Sequence, residues 1–166
     1  MRTVGTDVSP QAIALSRSRT NGKLHSAIGS EPPNPGKLFD LVMTVDVLAH
    51  VEDYRAFLRK MKTQGVYKLI HIPLDLSVQH LLRGKSMSKQ RKLHPHLHYF
   101  CKRTAMFALE DLGYEIVDHF YTPRMIAIPT HWRGHVLRLP RKFLFAVNQE
   151  LAVNLLGGFS LMILSK

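Results

Sequence analysis

The sequence predicts an α/β fold: a mostly parallel sheet with helices on both faces. Three observations lead there. Apolar runs of strand length alternate with helical stretches along the chain. The run Phe39–Val45 holds Leu41, Val42, Met43 and Val45, a nearly continuous apolar stretch expected of a central strand covered on both faces. That run ends at Asp46 and turns into an amphipathic helix, and in open α/β sheets the carboxyl ends of the strands line the ligand crevice. A chain of 166 residues that is 45% hydrophobic can bury one ordinary core, so residues 1–166 read as a single domain.

Each element has its own signal. Thr3–Thr6 reads as the end of a strand, with Asp7 directly after it. Ser9 is a helix N-cap and Pro10 fits the first helical position, followed by Ala12, Leu15, Ser16 and Arg19 at helical spacing. A short strand is expected over Leu24–Ile28, then a loop at Glu31–Gly36 whose prolines forbid regular structure. Tyr54, Phe57, Leu58 and Met61 form one apolar stripe at i, i+3, i+4 and i+7. Gly65 breaks that helix, and Val66–Ile72 reads as a strand stopped by Pro73. A short helix is expected over Leu76–Leu82, and Gly84–Pro95, polar and basic, reads as a loop. Ala105, Ala108, Leu109 and Leu112 mark a helix ended by Gly113, before a strand over Tyr114–Tyr121. Leu144, Val147, Leu151 and Leu155 mark a helix after Pro140, and Phe159–Leu164 a final strand.

The net charge is +11. No acidic residue lies between Asp75 and Glu110 or between Asp118 and Glu150, while both stretches hold arginine and lysine. Such stretches attract anionic head groups, phosphorylated substrates or nucleic acid, or simply form a solvated basic surface. Nucleic acid is not the expected partner, since no aromatic pattern or recognised motif accompanies the charge. Cys101 is the single cysteine, which excludes an intramolecular disulfide and suits a reducing compartment. The N-terminus lacks a secretion signal and Leu155–Leu164 is too short to span a bilayer. The expected location is cytoplasmic, with peripheral attachment to a membrane as the alternative.

Several short motifs occur in a telling order: V-G-T-D-V-S-P at Val4–Pro10, F-D-L-V at Phe39–Val42, D-V-L-A-H at Asp46–His50, then H-L-H-Y-F-C and L-G-Y-E-I-V. Together they resemble the class I S-adenosylmethionine-dependent methyltransferases, whose sheet is Rossmann-like with an antiparallel C-terminal strand. The resemblance implies S-adenosylmethionine as the cofactor and methylation of an oxygen or nitrogen on a small molecule or glycan. It implies that Asp7 binds the cofactor's ribose hydroxyls, which suits a carboxylate able to accept two hydrogen bonds. Asp46 falls beside the amino-acid part of the cofactor, and Ser30 where many relatives hold the adenine amine with Asp. His50 is the candidate proton acceptor, and His98 and Phe100 fall in the segment covering the acceptor pocket. Asp7 and Asp46 also admit simple capping roles, and His50 a structural hydrogen bond.

The sequence departs from the family in three places. Ala49 stands where D-V-L-E-H has glutamate, Gly29-Ser30 replaces Gly-Asp, and the family's first strand with its glycine-rich turn has no counterpart after Met1. The chain therefore reads as N-terminally truncated, with cofactor binding expected to be poor or absent. Thr3–Thr6 and Leu41–Val45 are expected to run parallel. They would stand about 9 to 10 Å apart if the place between them stays open, or pair directly in a chain that folds alone.

His94, His96 and His98 alternate and would point to one side of an extended backbone. With no acidic ligand nearby, a metal is not expected. Trp132, Arg133, Phe143 and Phe145 suggest either a surface for a lipid-linked acceptor or a packed helix. The alternative to an enzyme is a non-catalytic methyltransferase-like remnant or partner subunit with a basic, anion-binding surface.

Overall fold

The computed structural model describes residues 3–20, 24–28, 38–82, 96–123 and 138–166. Ser30, His94, Trp132 and Arg133 lie outside the described residues. The chain divides into two compact units, Met1–Lys37 and Leu38–Lys166.

In the smaller unit, β1 (Thr3–Asp7) pairs in parallel with β2 (Leu24–Ile28), in the register Thr3 opposite Leu24 and Asp7 opposite Ile28. Helix α1 (Pro10–Arg19) connects them. The Ser9 side chain accepts the Ala12 amide at 3.3 Å and Pro10 occupies the first turn, the start that the sequence predicts. The expected stripe differs in one respect: the buried residue is Ile13, while Leu15 is exposed.

The larger unit holds β3 (Phe39–Val45), α2 (Tyr54–Lys62), β4 (Gly65–Leu74), α3 (Val78–Leu82), α4 (Lys102–Glu110), β5 (Ile116–Thr122), α5 (Arg138–Val147), α6 (Gln149–Leu156) and β6 (Phe159–Ser165). Its sheet order is β3-β4-β6-β5. Strands β3 and β4 are parallel, and β6 runs antiparallel to both β4 and β5. Strands β3, β4 and β5 thus share one direction and β6 alone opposes them, the mixed sheet with an antiparallel C-terminal strand that was expected.

Two expectations are corrected. Strand β3 is an edge strand of this sheet, not a central one, and Met43 is 62% exposed, with Leu41 and Val45 also open. An apolar run shows that both faces can be covered; here the topology covers only the side carrying Val42 and Thr44. Strand β1 belongs to the two-stranded sheet of the smaller unit and β3 to the four-stranded sheet of the larger one. Strand β4 continues through Pro73 to Leu74. The last β3 pairing is Val45 with His71, so beyond it β4 is bonded to β6 alone, the edge setting in which a strand tolerates proline.

The core of the larger unit forms where α2, α4 and α6 lay their apolar stripes on the sheet. Leu58 and Met61 of α2 share one buried cluster with Ile70 and Ile72 of β4, Leu109 of α4 and Leu161 of β6. Helix α2 starts at Asp53, whose carboxylate accepts the Ala56 amide at 2.8 Å. Helix α4 ends before Gly113, whose φ of 71° requires a residue without Cβ strain. The Lys62 amine donates to the Leu112 and Gly113 carbonyls at 2.9 and 2.6 Å, holding the turn that follows that helix. Gly65 opens β4 where a Cβ would lie 2.6 Å from Val42 Cγ2.

The helix expected after Pro140 is two helices, divided at Asn148, whose side chain accepts the Leu151 amide at 2.9 Å. Asn148 caps α6, and the break rotates the apolar face: Ala152 and Val153 are buried, whereas Val147, Leu151 and Leu155 are exposed.

Tyr114 is buried, and its hydroxyl donates to the Leu58 carbonyl at 2.7 Å. Burial pushes its ionisation well above the usual tyrosine value of 10.0. The folded state therefore retains a proton that the unfolded chain gives up above that value, so this stabilisation is present below pH 10.0 and declines as pH rises further. Tyr114→Phe is expected to cost about 1 kcal/mol at neutral pH from the lost hydrogen bond and to flatten the alkaline decline. Urea unfolding at neutral and alkaline pH measures both effects. Gly65→Ala is expected to destabilise by about 1 to 3 kcal/mol through overpacking against Val42, read by the same titration.

Candidate functional site

Two parallel strands of the larger unit end in carboxylates. Asp46 follows β3 directly and Asp75 follows β4 directly, as expected where α/β sheets present ligand-binding groups.

Asp46 has φ of 57°, the left-handed conformation, and is the only non-glycine residue with positive φ among the described residues. Aspartate tolerates this region better than most side chains. Its carboxylate is held from β4: His71 Nδ1–H donates to Asp46 Oδ1 at 2.8 Å. His71 Nε2 stands 3.1 Å from the Thr122 hydroxyl of β5, from which a neutral imidazole accepts. A side-chain chain of Asp46, His71 and Thr122 thus spans the carboxyl ends of β3, β4 and β5. Sequence reading singled out Asp46 but neither of its supports; alternation along β4 was the available signal, since His71 separates the buried Ile70 and Ile72.

The turn after Asp46 positions His50. Leu48 and Ala49 are fully buried, and the His50 amide closes the turn on the Val47 carbonyl at 2.9 Å. The Ala49 carbonyl accepts the amides of Leu97 at 2.7 Å and His98 at 3.3 Å, docking the segment 96–98 onto this turn. That pairing brings His96 beside His50, with ring centroids 4.8 Å apart and planes at 74°. His96 Nδ1 lies 2.7 Å from Asp75 Oδ2, with side chains only 18% and 13% exposed. In the sequence His96 stands out only as one of three alternating histidines and Asp75 only as the border of a basic stretch. The available signal for Asp75 is that it ends its strand as Asp46 ends its own.

His98 and His96 do different things. His98 Nε2–H donates to the Val51 and Glu52 carbonyls, both at 2.9 Å, and its ring stands edge-on to Tyr54. Phe100 is 4% exposed and belongs to the core, against Tyr54. Both hold the approach to α4 in place. Among the described residues no group of three or more histidine, cysteine or acidic side chains converges as a metal site. No helix among them is long and apolar enough to cross a membrane.

In the smaller unit, Asp7 is exposed at the end of β1, and its Oδ1 accepts the Ser9 amide at 2.7 Å. The carboxylate therefore braces the turn into α1 while standing at the surface. In the larger unit, Phe143 is exposed, whereas Phe145 stacks on Phe159 at 5.1 Å. Their half of the expected aromatic surface is thus divided between solvent and core.

Residues 1–64 match the methyltransferase-domain family. No curated protein matches the sequence. A S-adenosylmethionine-dependent methyltransferase from Methanosarcina mazei is 14% identical, with a TM-score of 0.61 over 98% of this chain and 80% of its own. One from Mesorhizobium loti has the same identity and TM-score over 98% and 79%. One from Archaeoglobus fulgidus is 19% identical, with a TM-score of 0.57 over 98% and 75%. The chain has the class I methyltransferase fold. Within this methyltransferase fold, Asp46 and the turn through His50 fall inside the stretch that matches the family, while Asp75 and His96 lie beyond it.

The left-handed Asp46 gives a stability test independent of activity. Asp46→Ala is expected to be less stable than Asp46→Asn by about 1 kcal/mol, because asparagine accepts this φ and alanine does not. Denaturant unfolding of the two variants measures the difference.

Proposed function

We propose that this protein is an S-adenosylmethionine-dependent methyltransferase acting on an oxygen or nitrogen of a small molecule or glycan, and that both of its units belong to one methyltransferase domain. The observation that carries the activity is the carboxylate Asp46, fixed in a left-handed turn at the end of β3 and held by His71, in the stretch that matches the family. The same match runs from residue 1 to residue 64, across the boundary at Lys37 and Leu38, which supports reading the units as one domain.

The residues present suit the cofactor's chemistry. Asp7 offers an exposed carboxylate to a ribose diol, which donates two hydrogen bonds. Asp46 offers an oriented negative charge to the ammonium of the amino-acid part. Ser30 is proposed at the adenine end. The bound cofactor supplies an activated methyl group; the protein's own residues position the acceptor and take up its proton where it carries one. His50, exposed at the strand ends, is proposed to take part in that proton transfer, and His98 and Phe100 are proposed to shape the acceptor side from beneath, through the segment they anchor. The basic composition supports an anionic or lipid-linked acceptor as one class within this reading, and a cytoplasmic location with peripheral membrane contact is proposed with it.

Isothermal titration with S-adenosylmethionine and S-adenosylhomocysteine tests the reading. Asp7→Ala and Asp46→Asn are each expected to weaken binding by roughly 1 to 3 kcal/mol, the cost of losing hydrogen bonds to a charged group. Absence of binding by the unsubstituted protein, with circular dichroism showing it folded, would instead favour the non-catalytic remnant or partner subunit.

A further inference from the structure

We propose that Asp75 and His96 form a carboxylate–imidazole dyad that takes the proton from an acceptor hydroxyl during methyl transfer, so that the acceptor is an alcohol, phenol or sugar hydroxyl. The proposal rests on the methyltransferase reading above and narrows its substrate class.

The geometry fixes the tautomer. An ionised carboxylate only accepts hydrogen bonds, so at 2.7 Å from Asp75 Oδ2 the His96 Nδ1 carries the proton and the neutral ring has its lone pair on Nε2. Comparison with the other carboxylate-held histidine separates a proton acceptor from a strut. His71 is engaged at both nitrogens, by Asp46 and Thr122. His96 is engaged at Nδ1, and no other described residue gives Nε2 a hydrogen bond. An imidazole oriented by a partly buried carboxylate, with its second nitrogen reserved, is the arrangement of a general base.

Its position suits the task. Asp75 follows β4 directly, at the end of the sheet where ligands bind. The segment carrying His96 is fixed by the Leu97 and His98 amides on the Ala49 carbonyl, so the ring is placed by backbone rather than by a long flexible side chain. His50, exposed and in edge contact with His96, gives the proton a way out to solvent.

The step balances. As the acceptor oxygen bonds to the methyl carbon, the carbon–sulfur bond breaks with its electron pair returning to sulfur, and the hydroxyl proton passes to His96 Nε2. Asp75 stabilises the resulting imidazolium. An ionised carboxylate or thiolate acceptor brings no proton and gains nothing from this dyad.

The test has a structural and a kinetic arm. In nitrogen-15 spectra of histidine-labelled protein at neutral pH, His96 is expected as the Nδ1–H tautomer. With S-adenosylhomocysteine bound, its Nε2 resonance is expected to move on adding catechol or methyl glucoside and to stay in place on adding benzoate. An Nε2–H tautomer, or a response to benzoate equal to that for the hydroxyl probes, overturns the proposal. In the kinetic arm, labelled S-adenosylmethionine is offered with the same probes. Transfer to a hydroxyl is expected to fall about 100-fold or more in His96→Gln and at least about tenfold in Asp75→Asn, which loses the tautomer preference. Affinity for S-adenosylhomocysteine should be unchanged and the loss partly recovered at high pH, where the acceptor ionises unaided. Transfer only to benzoate, or to no hydroxyl in a protein that binds S-adenosylhomocysteine, also overturns it. Failure to bind S-adenosylhomocysteine at all is a different result, which removes the underlying methyltransferase reading.

Discussion

The larger unit depends on the need of a buried strand to pair its backbone on both sides. Strand β4 meets this with two unlike neighbours, parallel β3 and antiparallel β6. The parallel partner requires a crossover, which α2 supplies, and the crossover delivers one apolar stripe to the core. The antiparallel partner, β6, lies between β4 and β5 and follows α5 and α6 in the chain. Since β4 outruns β3, its last residues carry Pro73 and Asp75 away from the parallel pair. That offset produces two separate carboxylate stations at the strand ends.

Those stations are held differently, and the difference follows from burial. Asp46, partly open to solvent, is held by the more buried His71 ring, so its support is enclosed and its outer oxygen accessible. At Asp75 both partners are largely enclosed, where a hydrogen bond is electrostatically stronger than at the surface. By contrast, the ion pair of Lys102 with Glu150, which joins α4 to α6, leaves Glu150 well exposed. It raises the lysine's ionisation and lowers that of the glutamate, but such pairs contribute little to stability.

Local chemistry made much of the fold legible in the sequence. Ser9 with Pro10, the stripe from Tyr54 to Met61, and Gly113 each have one favourable local conformation, and the structure adopts it. Non-local features were less visible. The composition of β3 is that of an enclosed strand, and only sheet order shows it at an edge. Asn148 has equal standing within a long helix or at a cap until the packing of Ala152 and Val153 decides. The candidate site divides similarly. Asp7, Asp46 and His50 were found by a motif within a few residues of chain. The pairings of His71 with Asp46 and of His96 with Asp75 span 25 and 21 residues, and no local pattern announces a contact at that distance.

The Ala49 carbonyl has a consequence for how this site tolerates change. It holds the segment bearing His96 with an atom every amino acid possesses, so the mooring does not depend on which side chain occupies position 49. What position 49 does constrain is volume, because the residue is completely enclosed. A side chain larger than alanine would have to displace its packed neighbours here, while the backbone moorings of the segment 96–98 would stay the same. Sequence drift at this position is filtered by size and by the cost of enclosing a charge, and the histidine placed through its backbone is shielded from it.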